Sequence, residues 1–332
     1  ITTLGTSLMT NAFRGDSFAK TLNAKTNAQE ADLEADFINT IDSKLEYLHK
    51  ELQNADVPAL RKSSAELNGL FGLYQERPQE SSGDIHFLIP SDTFPGHRIA
   101  LFYKRLFPML GLPDPHIIDI KRLSTRSQAD FSEGIKELVV WCDETLPGYR
   151  QSQYEVVFNL TGSFKTLQGY LSTIGMFYAD RMVYIFETGN ALLQIPKLPL
   201  RIDPAVFSKN PALWAQLEAD KIVHGQEVYA IPDVYLDVYD GKSYCLSPAG
   251  LLAWRQVKQD LLNQELLDFP RLVYEKRFLD DWKHYRNEAS IRVKLQETLA
   301  EISVHLQDHG GVTSGLRQGL RFSPLQSQRD EN

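Results

Sequence analysis

The sequence predicts an α/β protein: a doubly wound parallel sheet, then a mixed α/β connector and a small α+β unit at the end of the chain. Two observations carry the first part. Short apolar runs of strand length recur at 1–7, 84–90, 154–160 and 182–188, and helically spaced segments separate them. Parallel strands are buried on both faces, so they read as continuous apolar runs, and strand–loop–helix–strand order is the pattern of a sheet covered on both sides.

The elements follow in order. ITTLGTS (1–7) is a short β-type run that ends in Gly, Thr and Ser. A polar stretch from about Asp16 to Glu66 keeps helical spacing; Leu33, Phe37, Ile41, Leu45 and Leu48 lie on one amphipathic face. DIHFLIP (84–90) is a second strand, running at once into SDT (91–93). HRIALFYKRLFPML (97–110) reads as a helix stopped by Gly111 and Pro113, and Ile117, Ile118 and Ile120 mark a third strand. Phe131, Ile135, Leu138 and Val139 restore helical spacing. YEVVFNL (154–160) is the strongest strand pattern; it enters TGS (161–163), then a helix with Leu167, Tyr170, Leu171 and Ile174 on one face. MVYIFET (182–188) is another strand.

The connector, 203–268, alternates apolar and polar residues around Asp240-Gly241, a hairpin signal. Ser247 is placed to cap the next helix, with Pro248 at its first position. FPRLVYEK (269–276) is expected to open the third unit with a strand. Two helices follow, the second along Ile291, Leu295, Leu299, Ile302 and Leu306, and QGLRFSPL (318–325) reads as a last strand. The expected organisation is therefore 1–202, 203–268 and 269–332, where length alone, at roughly 150 residues per domain, suggests about two domains.

Composition narrows the function. The 332 residues carry a net charge of −8, which argues against a protein that coats nucleic acid non-specifically. Ten basic and nine acidic residues in 271–332 give that part +1, so the acidity lies upstream of it. Two cysteines, Cys142 and Cys245, make no disulfide framework and match no metal spacing, which points to a reducing cytoplasm. No apolar run reaches the roughly 18 residues of a membrane span. His305 and His309 have helical metal-ligand spacing but no third ligand, so no metal is expected.

Ligands of open parallel sheets bind beyond the carboxyl ends of the strands, where strand order reverses. Three predicted strands end in small hydroxyl or glycine loops: Gly5-Thr6-Ser7, Ser91-Asp92-Thr93 and Thr161-Gly162-Ser163. One such loop is an ordinary turn; three in register point to a site. Backbone N–H groups there favour phosphate, and Lys165 adds a cation at the mouth. Neither a Walker A motif nor GxGxxG is present.

VVFNLTGSFKTLQGY (156–170), with ITTLGTSL (1–8), IPSDT (89–93), SSAELNGL (63–70) and FETGNALLQIPKLPL (186–200), resembles a CARF domain, the CRISPR-associated Rossmann fold, over about residues 1–202. Many relatives have two glycines where this chain has Gly162-Ser163. The resemblance implies a homodimer that binds a cyclic oligoadenylate, made by a type III CRISPR effector, across its two-fold axis. By position, Gly5, Thr6, Ser7 and Leu8 form the first ligand loop, Ser91, Asp92 and Thr93 line the site, and Asn159, Thr161, Gly162, Ser163 and Lys165 form the second loop. Two-fold symmetry favours an even ring, cyclic tetra-adenylate first and the hexamer second. No cofactor is implied.

RLVYEKRFLDDWKHY (271–285), the following helix and GLRFSPL resemble the start of a RelE-type toxin, and SYCLSPAGLLAWRQVKQDLL (243–262) is similar to the joining segment of CARF–RelE fusions. The resemblance implies a ribosome-dependent messenger-RNA endonuclease switched on by the ring. Arg317 and Arg321 are its catalytic candidates; Lys276 and Arg277 are RNA-backbone contacts. Ribosomal stalk protein is the implied docking partner. A RelE-type sheet continues through further strands, so the effector is expected to be incomplete at Asn332. Two other readings stay open: a transcription regulator with a winged-helix module at 228–268, and a nuclease that cuts the ring itself.

Overall fold

The computed structural model describes residues 1–162, 165–186 and 191–308. The chain forms two compact units, Ile1–Leu200 and Arg201–Asn332. The first is α/β, with a six-stranded, mostly parallel sheet. Its strands are β1 (Thr2–Thr3), β2 (Phe87–Ile89), β3 (His116–Ile117), β4 (Val157–Asn159), β5 (Arg181–Ile185) and β6 (Leu192–Ile195). Their spatial order is β3-β2-β1-β4-β5-β6. All neighbours pair in parallel except β5 and β6, which are antiparallel with Met182 opposite Ile195. The strands are shorter than the apolar runs that announce them.

The chain works outward from β1 to β2 and β3, then returns to the middle and works the other way through β4 and β5. Parallel crossovers are right-handed, so the reversal sends the helices of the two halves to opposite faces. The first half carries α1 (Ser7–Ala12), α2 (Ser17–Ala24), α3 (Ala35–Gln53), α4 (Val57–Ser63), α5 (Ala65–Leu73) and α6 (Phe94–Met109). These share one core, in which Leu8, Met9, Leu22, Ile41, Leu67, Leu70, Phe102 and Phe107 pack with Leu88 of β2. The second half carries α7 (Gln128–Gln151) and α8 (Lys165–Tyr178).

The helix expected from Leu33–Leu48 is α3, which buries Ile41, Leu45 and Leu48. Leu33 lies ahead of it, and the polar stretch around α3 breaks into further helices. The breaks are made by capping side chains: Asp16 accepts from the Phe18 amide at 3.0 Å, Asp56 from Ala59 at 2.8 Å, and Ser64 from Leu67 at 3.0 Å. The antiparallel strand β6 is a further departure from the all-parallel expectation.

The second unit contains α9 (Pro211–Glu218), β7 (Val223–His224), β8 (Leu236–Val238), β9 (Ser243–Leu246), α10 (Pro248–Leu262), α11 (Lys276–His284) and α12 (Ala289–Asp308). The hairpin read around Asp240-Gly241 is β8–β9, with Gly241 at φ +84° making the turn. Ser247 caps α10 by accepting from the Gly250 amide, and Pro248 is its first residue. Phe207, Trp214, Tyr235 and Trp254 form an aromatic cluster. Beside it Glu218 accepts from the Trp254 indole at 2.6 Å and from Lys258 and Arg255 at 2.8 Å, and Lys258 also reaches Glu297 at 2.7 Å.

Residues 203–268 and 269–308 share this core. Gln296 donates to the Leu262 carbonyl, and the Ser303 hydroxyl links Gln216 to the Pro270 carbonyl. The strand expected over 269–276 does not form. Phe269 is buried, Arg271 turns the chain at φ +67°, and Tyr274 donates to the Leu267 carbonyl. The chain then enters α11 at Lys276. Tied back on itself, this short apolar run pairs with no strand among the described residues. The strand expected at 318–325 lies outside the described residues.

Candidate functional site

The strand order reverses between β1 and β4, so the crevice where ligands of such sheets bind opens beyond their carboxyl ends. Two of the three predicted loops meet there. Leu4-Gly5-Thr6 follows β1 and leads into α1; Leu160-Thr161-Gly162 follows β4 and precedes α8.

The side chain that joins the two loops is Glu66, at the second position of α5 and wholly buried. Its Oε1 accepts from the Gly5 amide at 2.8 Å and its Oε2 from the Ser7 hydroxyl at 2.6 Å, with the Tyr103 hydroxyl at 3.4 Å. On its other side it lies against Gly162, where a side-chain carbon would come within 2.6 Å of Oε1. Among the described residues no cation pairs with it. The Gly5 amide and the Ser7 hydroxyl, with the amino end of its own helix, hold the carboxylate in place. Burial first, and the Glu66 charge second, push the Tyr103 hydroxyl well above its ordinary range.

This changes the roles expected of the first loop. The Gly5 N–H is not open for a phosphate, because Glu66 already occupies it. The Ser7 hydroxyl is committed twice, donating to Glu66 and accepting from the Ala65 amide at 3.2 Å. Leu8 is fully buried in the helical core and has no face toward a ligand. Thr6 is half-buried at the start of α1 and makes no side-chain cap bond.

The second loop is built from its own residues and α5. Asn159 is 3% exposed; its amide donates to the Glu66 carbonyl at 3.3 Å, and its oxygen accepts from the Thr161 amide at 3.1 Å. It therefore shapes the turn. Thr161 Oγ1 accepts from the Ile185 amide at 3.2 Å, and the Gly162 carbonyl accepts from Gln168 at 3.2 Å. Gly69 lets α5 approach so closely that an added carbon would meet the Asn159 amide and the Thr161 hydroxyl. Lys165 is exposed at the first position of α8, the remaining cation of the loop. Ser163 lies outside the described residues.

The third loop serves the fold more than the crevice. Thr93 is fully buried and caps α6 by accepting from Gly96, with Ser91 Oγ 2.9 Å from its hydroxyl. Asp92 accepts from the Arg122 amide at 2.7 Å and contacts His97 Nε2 at 3.2 Å, while Asp119 lies 3.4 Å from Nδ1. These three groups are close enough together to be compared with a metal site. The carboxylates, however, sit on opposite nitrogens of the ring, an arrangement that clamps the imidazole by hydrogen bonds instead of directing one lone pair from each group at a common point.

In the second unit Lys276 and Arg277 are exposed on the first turn of α11. Arg317, Arg321 and His309 lie outside the described residues. The sequence pattern does not reveal the part Glu66 plays, although SSAELNGL is one of the CARF-like segments. Its signal was a Ser-x-Glu at a helix start, ordinary capping chemistry until the fold brings it beneath two glycine loops.

Residues 61–198 match the model of a CRISPR-associated protein family, Cas_APE2256. The match supports a CRISPR-associated protein. It takes in Glu66, Gly69, the Asp92 loop and the whole β4–α8 loop, and leaves out Gly5–Leu8. No curated protein matches the chain. Among the described residues, no helix is long and apolar enough to cross a membrane.

Proposed function

We propose that this CRISPR-associated protein is a CARF-type sensor of cyclic oligoadenylate that works as a homodimer and switches on a RelE-like, ribosome-dependent messenger-RNA endonuclease carried by the same chain. The observation that carries the reading is the meeting of two loops of CARF-like sequence, Gly5–Ser7 and Thr161-Gly162, at the reversal of strand order. The ring enters the crevice over the β4–α8 loop, with Lys165 and the backbone of Thr161-Gly162 facing its phosphates and Thr6 at the opposite rim. Pairing two copies about a two-fold axis doubles these contacts, so an acidic protein binds a polyanion with few cations. Cyclic tetra-adenylate is the favoured ring.

For cleavage the reading needs no strong side-chain acid or base. A 2′-hydroxyl of the messenger attacks the adjacent phosphate, and arginines stabilise the charge that develops there; Arg317 and Arg321 remain the candidates, with Lys276 and Arg277 on the RNA backbone. Net charge does not draw this chain to ribosomal RNA, so ribosomal stalk protein is the proposed docking partner. The transcription-regulator reading loses support, because α10, its recognition helix, buries Leu251, Trp254, Val257 and Lys258, and its Arg255 and Lys258 are spent on Glu218.

The test is incubation of the full chain with defined cyclic oligoadenylates, ribosomes and messenger RNA. Cleavage that requires all three is the expected result. Loss of the ring without messenger cleavage would make the protein a ring nuclease instead, and DNA retention by the ligand-free protein would restore the regulator.

A further inference from the structure

The donors that make the β1–α1 loop look like an anion site are turned onto a buried carboxylate. Gly5 N–H and Ser7 O–H both point at Glu66, and the same carboxylate lies against Gly162 of the opposite loop. A side chain in that place has two consequences. It satisfies the donors that a phosphate would otherwise use. It also puts a negative charge under the floor of the crevice, where no described cation offsets it.

We propose that Glu66 is the resident anion of the crevice and its specificity-determining residue: it shuts the Gly5–Ser7 donors to phosphate, rejects small, highly charged anions, and leaves a ligand's phosphates to be held from the β4–α8 side. This rests on the crevice being the ligand site. A separation of about 6 Å and an effective dielectric near 20 give a like-charge penalty of roughly a hundredfold in affinity for each unit charge. Inorganic phosphate and adenosine monophosphate concentrate about two charges in one place and meet that penalty in full. A cyclic oligoadenylate spreads single charges around a ring, so it keeps most of its phosphates away from Glu66 and gains contact from its bases. The carboxylate thus selects the ring over the mononucleotides that are abundant in any cell.

The test compares the full-length wild type, Glu66→Gln and Glu66→Asp in melting and calorimetric titrations with inorganic phosphate, adenosine monophosphate and cyclic tetra-adenylate. Glu66→Gln is expected to bind phosphate and the monophosphate at least about a hundredfold more tightly than wild type, and so to lose selectivity for the ring by that factor. Glu66→Asp keeps the charge and is expected to go on rejecting both, whatever its melting temperature; a purely structural role would group it with Glu66→Gln. Unchanged phosphate and monophosphate affinity in a folded Glu66→Gln would overturn the proposal. If cyclic tetra-adenylate binds none of the three proteins, the ligand reading fails, and the phosphate arm still decides the part assigned to Glu66. A measurement on the wild type alone guards against an unstable variant. The Gly5 amide resonance is expected to stay put on addition of the ring while those of Gly162 and Lys165 move. A large Gly5 shift that reports a phosphate on that amide would contradict the assignment.

Discussion

Two inward-facing carboxylates, Glu66 buried in the first unit and Glu218 half-buried in the second, are held in opposite ways. Glu218 in the second unit meets Arg255, Lys258 and the Trp254 indole, and Lys258 passes the pairing on to Glu297. Glu66 in the first unit meets an amide and two hydroxyls. A carboxylate compensated by cations ties helices together and presents little net field. One held by neutral dipoles has no cation to answer it among the described residues, and here it lies between the two loops of the proposed ligand site. The difference separates scaffold from site more sharply than burial does, since both groups are largely out of water.

Variants test the comparison, starting with the largest expected effect. Lys258→Met takes away the cation that Glu218 and Glu297 share, leaving Arg255 on the one and Lys294 on the other, and is expected to cost about 3 kcal/mol of stability in denaturant unfolding, the low end for a broken buried pair. A loss below about 1 kcal/mol would show that the network is not the tie described here. The same network has a pH signature. Burial is the largest single influence and pushes the Glu297 carboxyl up, but the charge and hydrogen bond of Lys258, together with Lys294, outweigh it, and the group ends below its ordinary value of 4.5. A depressed carboxyl contributes stability that is fully present above the unfolded value and disappears as the pH falls through the folded one. Wild-type stability should therefore fall as the pH drops below about 4.5, and Lys258→Met should flatten that part of the profile.

Gly69→Ala comes next. Its methyl would press on Thr161 Oγ1 and the Asn159 amide nitrogen, each at 2.7 Å, and overpacking of this kind costs about 1–3 kcal/mol. Because the loop must shift, ring binding should weaken along with stability; full affinity in a destabilised protein would uncouple α5 from the site. Ser64→Ala removes the cap of α5 and the acceptor of the Tyr103 hydroxyl at 2.7 Å, with an expected loss of about 1 kcal/mol in thermal unfolding. It should leave the Glu66 contacts with Gly5 and Ser7 in place, and so the affinity for the ring.

The parts of the first unit legible in the sequence are those that depend on local pattern. Continuous apolar runs marked β1, β2, β4 and β5, and the loops after β1 and β4 were recognisable from their small residues. What local pattern does not record is which side chain turns inward. Ser7 and Asn159 carry polar groups suited to a ligand, yet α5 claims both, and Leu8 is drawn into the core by its neighbours on α1. Glu66 was hidden for the same reason: a carboxylate at a helix start is commonplace, and only strand order places it under Gly5 and Gly162. In the second unit Val273 and Tyr274 imitate a strand, but Arg271 turns the chain and Tyr274 bonds back to Leu267, a contact no periodicity reveals.

The smallest expected effect on stability accompanies the most informative result on function. Lys165 is exposed at the start of α8, so Lys165→Ala should change unfolding by less than about 0.5 kcal/mol. The decisive measurement is the affinity of full-length wild type and Lys165→Ala for cyclic tetra-adenylate, read by calorimetry. One ring per dimer and a loss of at least about tenfold in the variant are expected, the worth of a charge-assisted contact. Equal affinity in the two proteins, or no binding by the wild type, would contradict this.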